Sequence, residues 1–232
     1  MPNPTTNTAY SGSAGPYPTG WYNPSLAILD TAQGSTVLVS VAVRFTGAEP
    51  VLSLADSSFS SWSLEQSITN GLYKTCLFRA ILRGDWVAVN DESLQTITTA
   101  AVAEYAQIID VKDQAFGPDG AIPAFAAVAS SASHAVTAAA TRAADLMYGC
   151  NSRHGTATAP TGITNGTQVS SIASTNIRLV SFFNNPASTS AVTTTLTYAA
   201  AQVGSIGEYA LTNAPQIPRR IAATAVLRAS NF

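Results

Sequence analysis

Apolar and polar residues alternate along the stretch from Gly34 to Phe45. In an extended chain one side of this stretch is apolar throughout, carrying Val37, Val39, Val41, Val43 and Phe45. The other side, from Thr36 to Arg44, mixes apolar and polar residues. Because successive side chains of a strand point to opposite faces, the pattern predicts a strand with one buried face, long enough to cross a whole sheet. We expect the remaining strands to share its core.

A β-hairpin is predicted from Ser61 to Ile81, with Asn70-Gly71 as its two-residue loop. Such a loop pairs Thr69 with Leu72 and Ile68 with Tyr73. This register puts one set of residues on a shared, mostly apolar face: Trp62, Leu64, Ile68, Tyr73 and Leu77. The loop chemistry and the apolar pattern therefore agree on one register.

Further short strands are predicted along the rest of the chain, at 51–55, 86–89, 98–105, 144–150, 177–183, 192–198, 206–211 and 221–229. Residues 106–133 are expected to form a long loop or a weakly paired excursion, and 151–166 a loop. The alanine-rich stretch 134–144 is either a small-residue strand or irregular. Short strands separated by turn residues predict an all-β fold, an antiparallel β-sandwich of jelly-roll type.

Residues 1–33 differ from the single sandwich domain predicted for 34–232, because prolines alternate with glycines there. Proline lacks the N–H that a sheet needs, so we expect an extended arm and not a packed element. The arm nevertheless carries four aromatic residues, Tyr10, Tyr17, Trp21 and Tyr22. They predict that the arm docks on a partner surface, either its own domain or a neighbouring subunit.

Charged residues make up 10% of the chain, against about 25% in ordinary soluble domains. With a net charge of −2, the surface is weakly repulsive, which suits either a chain packed against neighbours or a soluble Ser/Thr-rich domain. Nucleic-acid binding is not expected, since no basic cluster exists beyond Arg219-Arg220. No stretch reaches the roughly 18 apolar residues of a membrane span, and the first residues do not resemble a Sec signal peptide.

The two cysteines, Cys76 and Cys150, leave two states open. They could form one disulfide or remain two buried reduced thiols. The second state is favoured because no export signal argues for an oxidising compartment.

Candidate catalytic residues are sparse. His134, His154 and Asp145 are the material for a Ser/His/Asp triad, but the chain has no Gly-x-Ser-x-Gly elbow. Glu92 and Glu104 could be paired as glycosidase carboxylates, although nothing in the sequence selects them. We expect histidines in loops or at the surface, and Glu104 at a solvent-facing or hydrogen-bonded sheet position.

Metal-binding patterns are equally weak. Cys150 and His154 lie four residues apart without a second ligand pair. Asp110, Asp113 and Asp119 lack the spacing of a calcium loop, so solvated loop carboxylates are favoured over a structural Ca²⁺ site. No cofactor is expected.

Three tryptophans could form a sugar-stacking platform. Trp62 and Trp86 lie within strand patterns, which favours core packing. Trp21 lies in the arm and is the better candidate for an intermolecular anchor.

The order of features from 34 to 105 resembles β-sandwich proteins of tailed-bacteriophage structural modules and of some bacterial surface proteins. An apolar strand opens at Gly34, Asp56-Ser57 turns into a strand near Trp62, and the segments 84–89 and 101–105 follow. The likeness covers the first half of the domain and includes no catalytic signature.

The resemblance implies a head decoration, fibre or tail protein of a virion, assembled in the host cytoplasm. We therefore expect a non-enzymatic capsid decoration or cement protein that contacts the major capsid protein and forms a homo-oligomer. A trimer would match a position at a capsid threefold axis. The alternatives are a carbohydrate-binding module or adhesin, and an enzyme such as a depolymerase whose site the sequence does not reveal.

Overall fold

The computed structural model describes residues 4–12, 20–22, 30–56, 60–87, 94–118, 120, 123–140, 146–155 and 158–213. All regular structure within these ranges is β-strand. In chain order the strands are β1 (Thr5–Gly12), β2 (Gly20–Tyr22), β3 (Thr36–Phe45), β4 (Leu52–Asp56), β5 (Ser63–Asn70), β6 (Tyr73–Ile81), β7 (Leu94–Thr98), β8 (Val102–Lys112), β9 (Phe116–Pro118), β10 (Ala124–Ala138), β11 (Leu146–His154), β12 (Gly162–Thr164), β13 (Thr167–Ala173), β14 (Ile177–Asn184) and β15 (Val192–Asn213).

The strands form three antiparallel sheets. The middle sheet has five strands in the order β1-β8-β3-β6-β5, and the small sheet has three, β2-β7-β4. The third, which we call the curled sheet, has the order β10-β15-β11-β14-β13, and β9 and β12 also pair with β15. One apolar core joins the middle and small sheets, and a second joins the middle and curled sheets. The predicted all-β, antiparallel sandwich is confirmed, with a third layer added.

β3 lies in the centre of the middle sheet, between β8 and β6. The prediction that only one face of this strand is buried is wrong, because every residue except the half-buried Arg44 is buried. Leu38, on the mixed face, packs in the core shared with the curled sheet. The polar residues of that face have partners there: Ser40 Oγ lies 3.1 Å from the Tyr148 hydroxyl, and Arg44 Nε donates to Glu104 Oε1 at 2.8 Å. The mixed face is therefore an inter-sheet face.

β5 and β6 form the predicted hairpin, but the predicted register is wrong by two residues. Asn70 pairs with Tyr73 and Ile68 with Thr75, so the loop is Gly71-Leu72. Gly71 has a φ of 62°, whereas Leu72 is outside the left-handed region. A positive φ at the first loop position alone is typical of a type II′ turn and not of the type I′ turn that Asn-Gly predicts.

A register irregularity between Leu64 and Gln66 alters the faces of β5 further. It places Leu64 opposite Phe78, where the prediction paired it with Leu77. Leu64 therefore leaves the predicted apolar face and is 48% exposed. A bulge of this kind changes which face a residue occupies without changing the apolar pattern of the sequence.

The curled sheet is organised by β15, which has 22 residues. Its first part pairs with β10 and β12, and its second part pairs with β10 and β11. Register shifts between Val128 and Ser133 separate the two parts of the β10–β15 ladder, and such irregularities let a sheet bend. A third apolar cluster packs between the two parts: Val136, Val180, Phe182, Leu196, Tyr198 and Ile206.

Several predicted boundaries are wrong. The stretch 106–133 is not one loop, because β8 continues to Lys112 and β10 begins at Ala124. Residues 98–105 are not one strand, since β7 ends at Thr98 and β8 begins at Val102. In 134–144 the strand alternative is confirmed as far as Ala138.

The predicted loop 151–166 is wrong at both ends, because β11 runs to His154 and β12 lies at Gly162–Thr164. The strands predicted at 51–55, 144–150, 177–183 and 192–198 are confirmed with shifted ends, and the one at 206–211 is part of β15. Trp86 forms an isolated bridge with Thr31. Residues 221–229 lie outside the described part of the chain.

Candidate functional site

The arm contributes strands to two sheets of its own domain. β1 pairs with β8 at one edge of the middle sheet, and β2 pairs with β7 at one edge of the small sheet. The expectation that proline and glycine exclude regular elements from 1–33 is therefore wrong for these two stretches.

The predicted docking aromatics follow this arrangement. Tyr10 belongs to β1, and Trp21 and Tyr22 belong to β2. Tyr17 lies outside the described residues. The sequence left two docking surfaces open, the chain's own domain and a neighbouring subunit. The backbone of these three residues pairs with the chain's own domain.

The β1–β8 ladder extends from Thr5 opposite Val111 to Gly12 opposite Tyr105, with one irregularity between Thr6 and Thr8. Every residue of β8 except the half-buried Ala103 is buried. β1 thus supplies backbone partners to an edge of a strand that would otherwise present an unpaired row of N–H and C=O groups.

Two of the tryptophans belong to the core between the middle and small sheets. Trp86 is 1% exposed, and the half-buried Trp62 packs against the same cluster. Both indole N–H groups reach one carboxylate: Trp62 Nε1 donates to Asp56 Oδ1 at 3.3 Å, and Trp86 Nε1 donates to Asp56 Oδ2 at 3.2 Å. The core-packing interpretation is confirmed for this pair, and Asp56 holds the end of β4 against the middle sheet.

Glu104 is a buried tie between the middle and curled sheets, 2% exposed. Besides Arg44, its carboxylate accepts hydrogen bonds from Ser174 Oγ at 2.9 Å and from the Asn176 backbone N–H at 2.8 Å, and the Asn176 side-chain amide also donates to it. Burial alone would raise the pKa of Glu104, but the hydrogen bonds from Asn176, Ser174 and Arg44 lower it below its usual value. Of the two sheet positions expected for Glu104, the hydrogen-bonded one is found. Glu92 lies outside the described residues.

The two candidate histidines do not share a site. His134 Nδ1 accepts from Asn151 Nδ2 at 2.9 Å, and His154 Nε2 lies 2.9 Å from Ser152 Oγ. Asn151 and Ser152 are neighbours on β11, so their side chains lie on opposite faces of the sheet. Both histidines are buried, so the expectation of surface or loop histidines is wrong.

The Ser152–His154 pair has the spacing of a nucleophile and its base but lies in the core. Ser152 is fully buried, and its Oγ also lies 2.5 Å from Thr75 Oγ1. His154 stacks on the Tyr73 ring at 4.0 Å, and its Nδ1, where a triad carboxylate would bond, has no partner in the described structure. Burial lowers the pKa of His154 to about 3. The Ser152–His154 pair therefore connects β11 to β6. Asp145, the third candidate for a triad, lies outside the described residues.

Of the remaining ligand candidates, Asp113 is exposed in a bend, as expected for a solvated loop carboxylate, and the others in the described ranges are engaged in packing. Asp110 is fully buried and accepts from the Tyr148 hydroxyl at 2.8 Å, so it is not a solvated loop carboxylate. Cys76 and Cys150 are unbonded and buried, which confirms the favoured state of the cysteines. In the described ranges no group of three or more His, Cys, Asp or Glu side chains is placed to hold a metal ion. Asp119 is outside those ranges.

Sequence reasoning missed one cluster of charged residues. Arg153 of β11 lies directly opposite Arg178 of β14, and the Arg153 guanidinium carbon is 4.4 Å from the centroid of the Tyr198 ring. Arg153 is 1% exposed. The two arginines are 25 positions apart in the sequence, so only the β11–β14 register could have revealed their proximity.

No family model, curated protein or solved structure matches this chain. In the part of the chain that the structure describes, no helix has the length and hydrophobicity of a membrane span.

Proposed function

We propose that the chain is a non-enzymatic structural protein of a tailed-phage virion, which decorates or cements the capsid. Its partners would be the major capsid protein and further copies of the chain. The proposal takes the resemblance of residues 34–105 to phage β-sandwich proteins as its starting point. The structural observation that carries it is the position of the arm, whose strands β1 and β2 are the edge strands of two different sheets.

An edge strand is suited to joining subunits. β1 is added to β8 through backbone pairing over Thr5–Gly12, and backbone pairing does not depend on whether the two strands belong to one chain. The same ladder can form with β8 of a neighbouring copy, because exchange of an identical element costs little. At the high local concentration of a capsid surface the exchanged form is favoured. In this proposal the arm closes its own sheet in the free protein and bridges copies on the particle.

The buried polar contacts support a passive, rigid body. Polar side chains such as Asp56, Glu104 and the Ser152–His154 pair join strands or sheets to one another. Such buried or partly buried contacts fix the relative positions of the layers. A shell component needs this rigidity to repeat the same contacts in every copy.

The arm's role can be tested with two cysteines placed at one pair of the ladder, Ser11→Cys and Ala106→Cys, which face each other across β1 and β8. The native cysteines are buried and do not compete. Oxidation of the dilute chain should give an intrachain disulfide, and oxidation at high concentration or on particles should give interchain disulfides on a non-reducing gel. Intrachain bonds alone on particles would overturn the bridging role.

A second measurement is the native mass by light scattering, with and without residues 1–33. An oligomer that becomes a folded monomer without the arm supports the assembly role in solution. A monomer in both forms favours either a binding module or a decoration protein whose arm bridges copies only on the capsid. The virion assignment itself is tested by mass spectrometry of purified phage particles from the source culture. The chain should be present in a fixed ratio to the major capsid protein; its absence from the particles would refute the assignment.

A further inference from the structure

We infer that Arg153, packed on the Tyr198 ring, and Arg178 form an oxyanion-binding site at one end of the curled sheet, taking a carboxylate or a phosphate group. The site is independent of the capsid proposal, since it does not involve the arm.

The register brings two positive charges together. Arg153 and Arg178 are directly opposite each other on neighbouring antiparallel strands, so their side chains leave the same face of the sheet. Like charges in this position repel each other and destabilise a sheet. The repulsion is relieved when an anion lies between or beside the two guanidinium groups.

Arg153 has no carboxylate partner among the described residues. Its Nη2 donates to the Ala200 carbonyl oxygen at 2.6 Å, and its Nη1 reaches the Thr158 carbonyl oxygen at 3.4 Å. Its Nε–H is buried and has no hydrogen-bond partner among the residues that the structure describes. A buried guanidinium without a counter-ion is costly, and an unpaired buried donor of this kind calls for an explanation. An oxyanion would supply both the charge and the acceptor.

The neighbouring groups do not provide that negative charge. Burial raises the pKa of Tyr198, although Arg153 and Arg178 lower it, so the phenol stays protonated at neutral pH. Burial lowers the pKa of His134, and the charge of Arg153 lowers it further. Glu208 is on the same face of β15 as Gly204, the residue opposite Arg153. It is four residues further along that strand. It accepts from Thr194 Oγ1.

The remaining geometry suits an oxyanion. Arg178 Nη1 donates to Ser171 Oγ at 3.1 Å, which places a hydroxyl beside the guanidinium, and Arg178 is half-buried. Thr158, whose carbonyl oxygen Arg153 reaches, is exposed. A ligand can therefore approach from the side of Arg178 and Thr158. Guanidinium groups bind carboxylates and phosphates through pairs of parallel N–H···O bonds.

The test is an anion titration of the full chain at constant ionic strength, followed by the NMR signals of the arginine Nε–H groups. Inorganic phosphate, acetate and glucuronate are the probes. We expect saturable binding that shifts the Arg153 Nε–H signal. Arg178→Gln should raise the Kd at least tenfold. Arg83→Gln is the matched control, because Arg83 is an exposed arginine that donates to Ser61 Oγ, and it should leave the Kd within twofold of the original.

The probes distinguish the source of the anion. Tighter binding of phosphate identifies a phosphoryl ligand, tighter binding of glucuronate than of acetate identifies an acidic sugar, and equal binding of the two identifies the carboxylate alone. Shifts that rise linearly with concentration, or a Kd unchanged in Arg178→Gln, would mean an adventitious ion only and would overturn the proposal. Because Arg178 is half-buried, its replacement tests the site even if Arg153→Gln fails to fold.

Discussion

The buried carboxyl of Glu208 should make the stability of the fold depend on pH. Glu208 is 0% exposed, and its partner is Thr194, whose Oγ1 lies 3.3 Å from Oε1 and 3.2 Å from Oε2. Burial raises the pKa of Glu208 from 4.5 to about 8, although the hydrogen bond from Thr194 lowers it in part. The carboxyl is therefore mostly protonated at pH 7 in the folded chain and ionised in the unfolded chain.

The sign of the effect follows from where the proton is held. Between pH 4.5 and about 8 the folded chain keeps a proton that the unfolded chain has released, so the free energy of unfolding falls as pH rises. The stabilisation from keeping the Glu208 carboxyl protonated is complete below pH 4.5 and is lost above about pH 8. One pKa unit corresponds to about 1.4 kcal/mol, which gives a loss of about 4 kcal/mol between pH 5 and pH 8. This is a large fraction of the stability of an ordinary domain, about 5–15 kcal/mol.

Glu208→Gln provides the measurement, because glutamine has a similar shape and does not titrate. Urea unfolding of both proteins at each pH unit from 5 to 9 gives the difference in their free energies of unfolding. The native protein should lose stability relative to the variant by about 1.4 kcal/mol per pH unit up to pH 8, and the difference should then level off. Titrations that the two proteins share cancel in the comparison.

Glu49→Gln is the matched control. Glu49 is exposed, and its hydrogen bond from Lys74 is the main cause that lowers its pKa. A carboxyl whose pKa is lowered by folding stabilises the fold at pH values above its pKa in the unfolded chain. That stabilisation is lost only as pH falls through its pKa in the folded chain, so the free energy of unfolding of this variant should parallel that of the original between pH 5 and pH 9. If Glu208→Gln also gave a parallel curve, the reasoning about the buried carboxyl would be refuted.

Three further changes test the packing. Gly149→Ala should destabilise the fold by about 1–3 kcal/mol, since a Cβ there would collide with a neighbouring carbonyl oxygen and the Phe182 ring. Gly162 has open space around it, so Gly162→Ala should cost much less in the same urea experiment. Equal costs for the two variants would contradict the packing. Glu104→Gln should cost about 3 kcal/mol and remove the hydrogen-exchange protection of the Asn176 amide; unchanged protection would contradict the tie. Both thiols should resist a thiol reagent until denaturant is added, because burial raises their pKa values; rapid labelling of the native chain would contradict their burial.

The strands with a regular apolar pattern could be predicted from the sequence, and those without one could not. β3 and β14 carry alternating or continuous large apolar residues, which mark a strand whatever surrounds it. β10 carries alanine and serine on both faces, so its inner and outer positions look alike in the sequence. Its role becomes visible only when β15 pairs along its whole length.

The site residues illustrate a second limit, which is sequence separation. Thr75 and Ser152, or Arg153 and Arg178, meet because of inter-strand register, and no local motif encodes that register. Local signals can also mislead about it. Asn70-Gly71 correctly marked a hairpin, yet the loop begins one residue later and a bulge moves Leu64 to the other face.

β11 shows why alternation could not separate the two candidate sites. All nine of its residues are buried, so the alternation between its faces does not distinguish core from solvent. It distinguishes two interiors: Ser152 and His154 face the middle sheet, while Asn151 and Arg153 face the cluster around Tyr198. Among the described residues, the groups left without a hydrogen-bond partner on the first side include neutral ones, the His154 Nδ1 and the hydroxyls of Ser181, Ser205 and Tyr209. On the second side the described residues give the Arg153 guanidinium carbonyl partners but no carboxylate, and this is why we assign the ligand site to it.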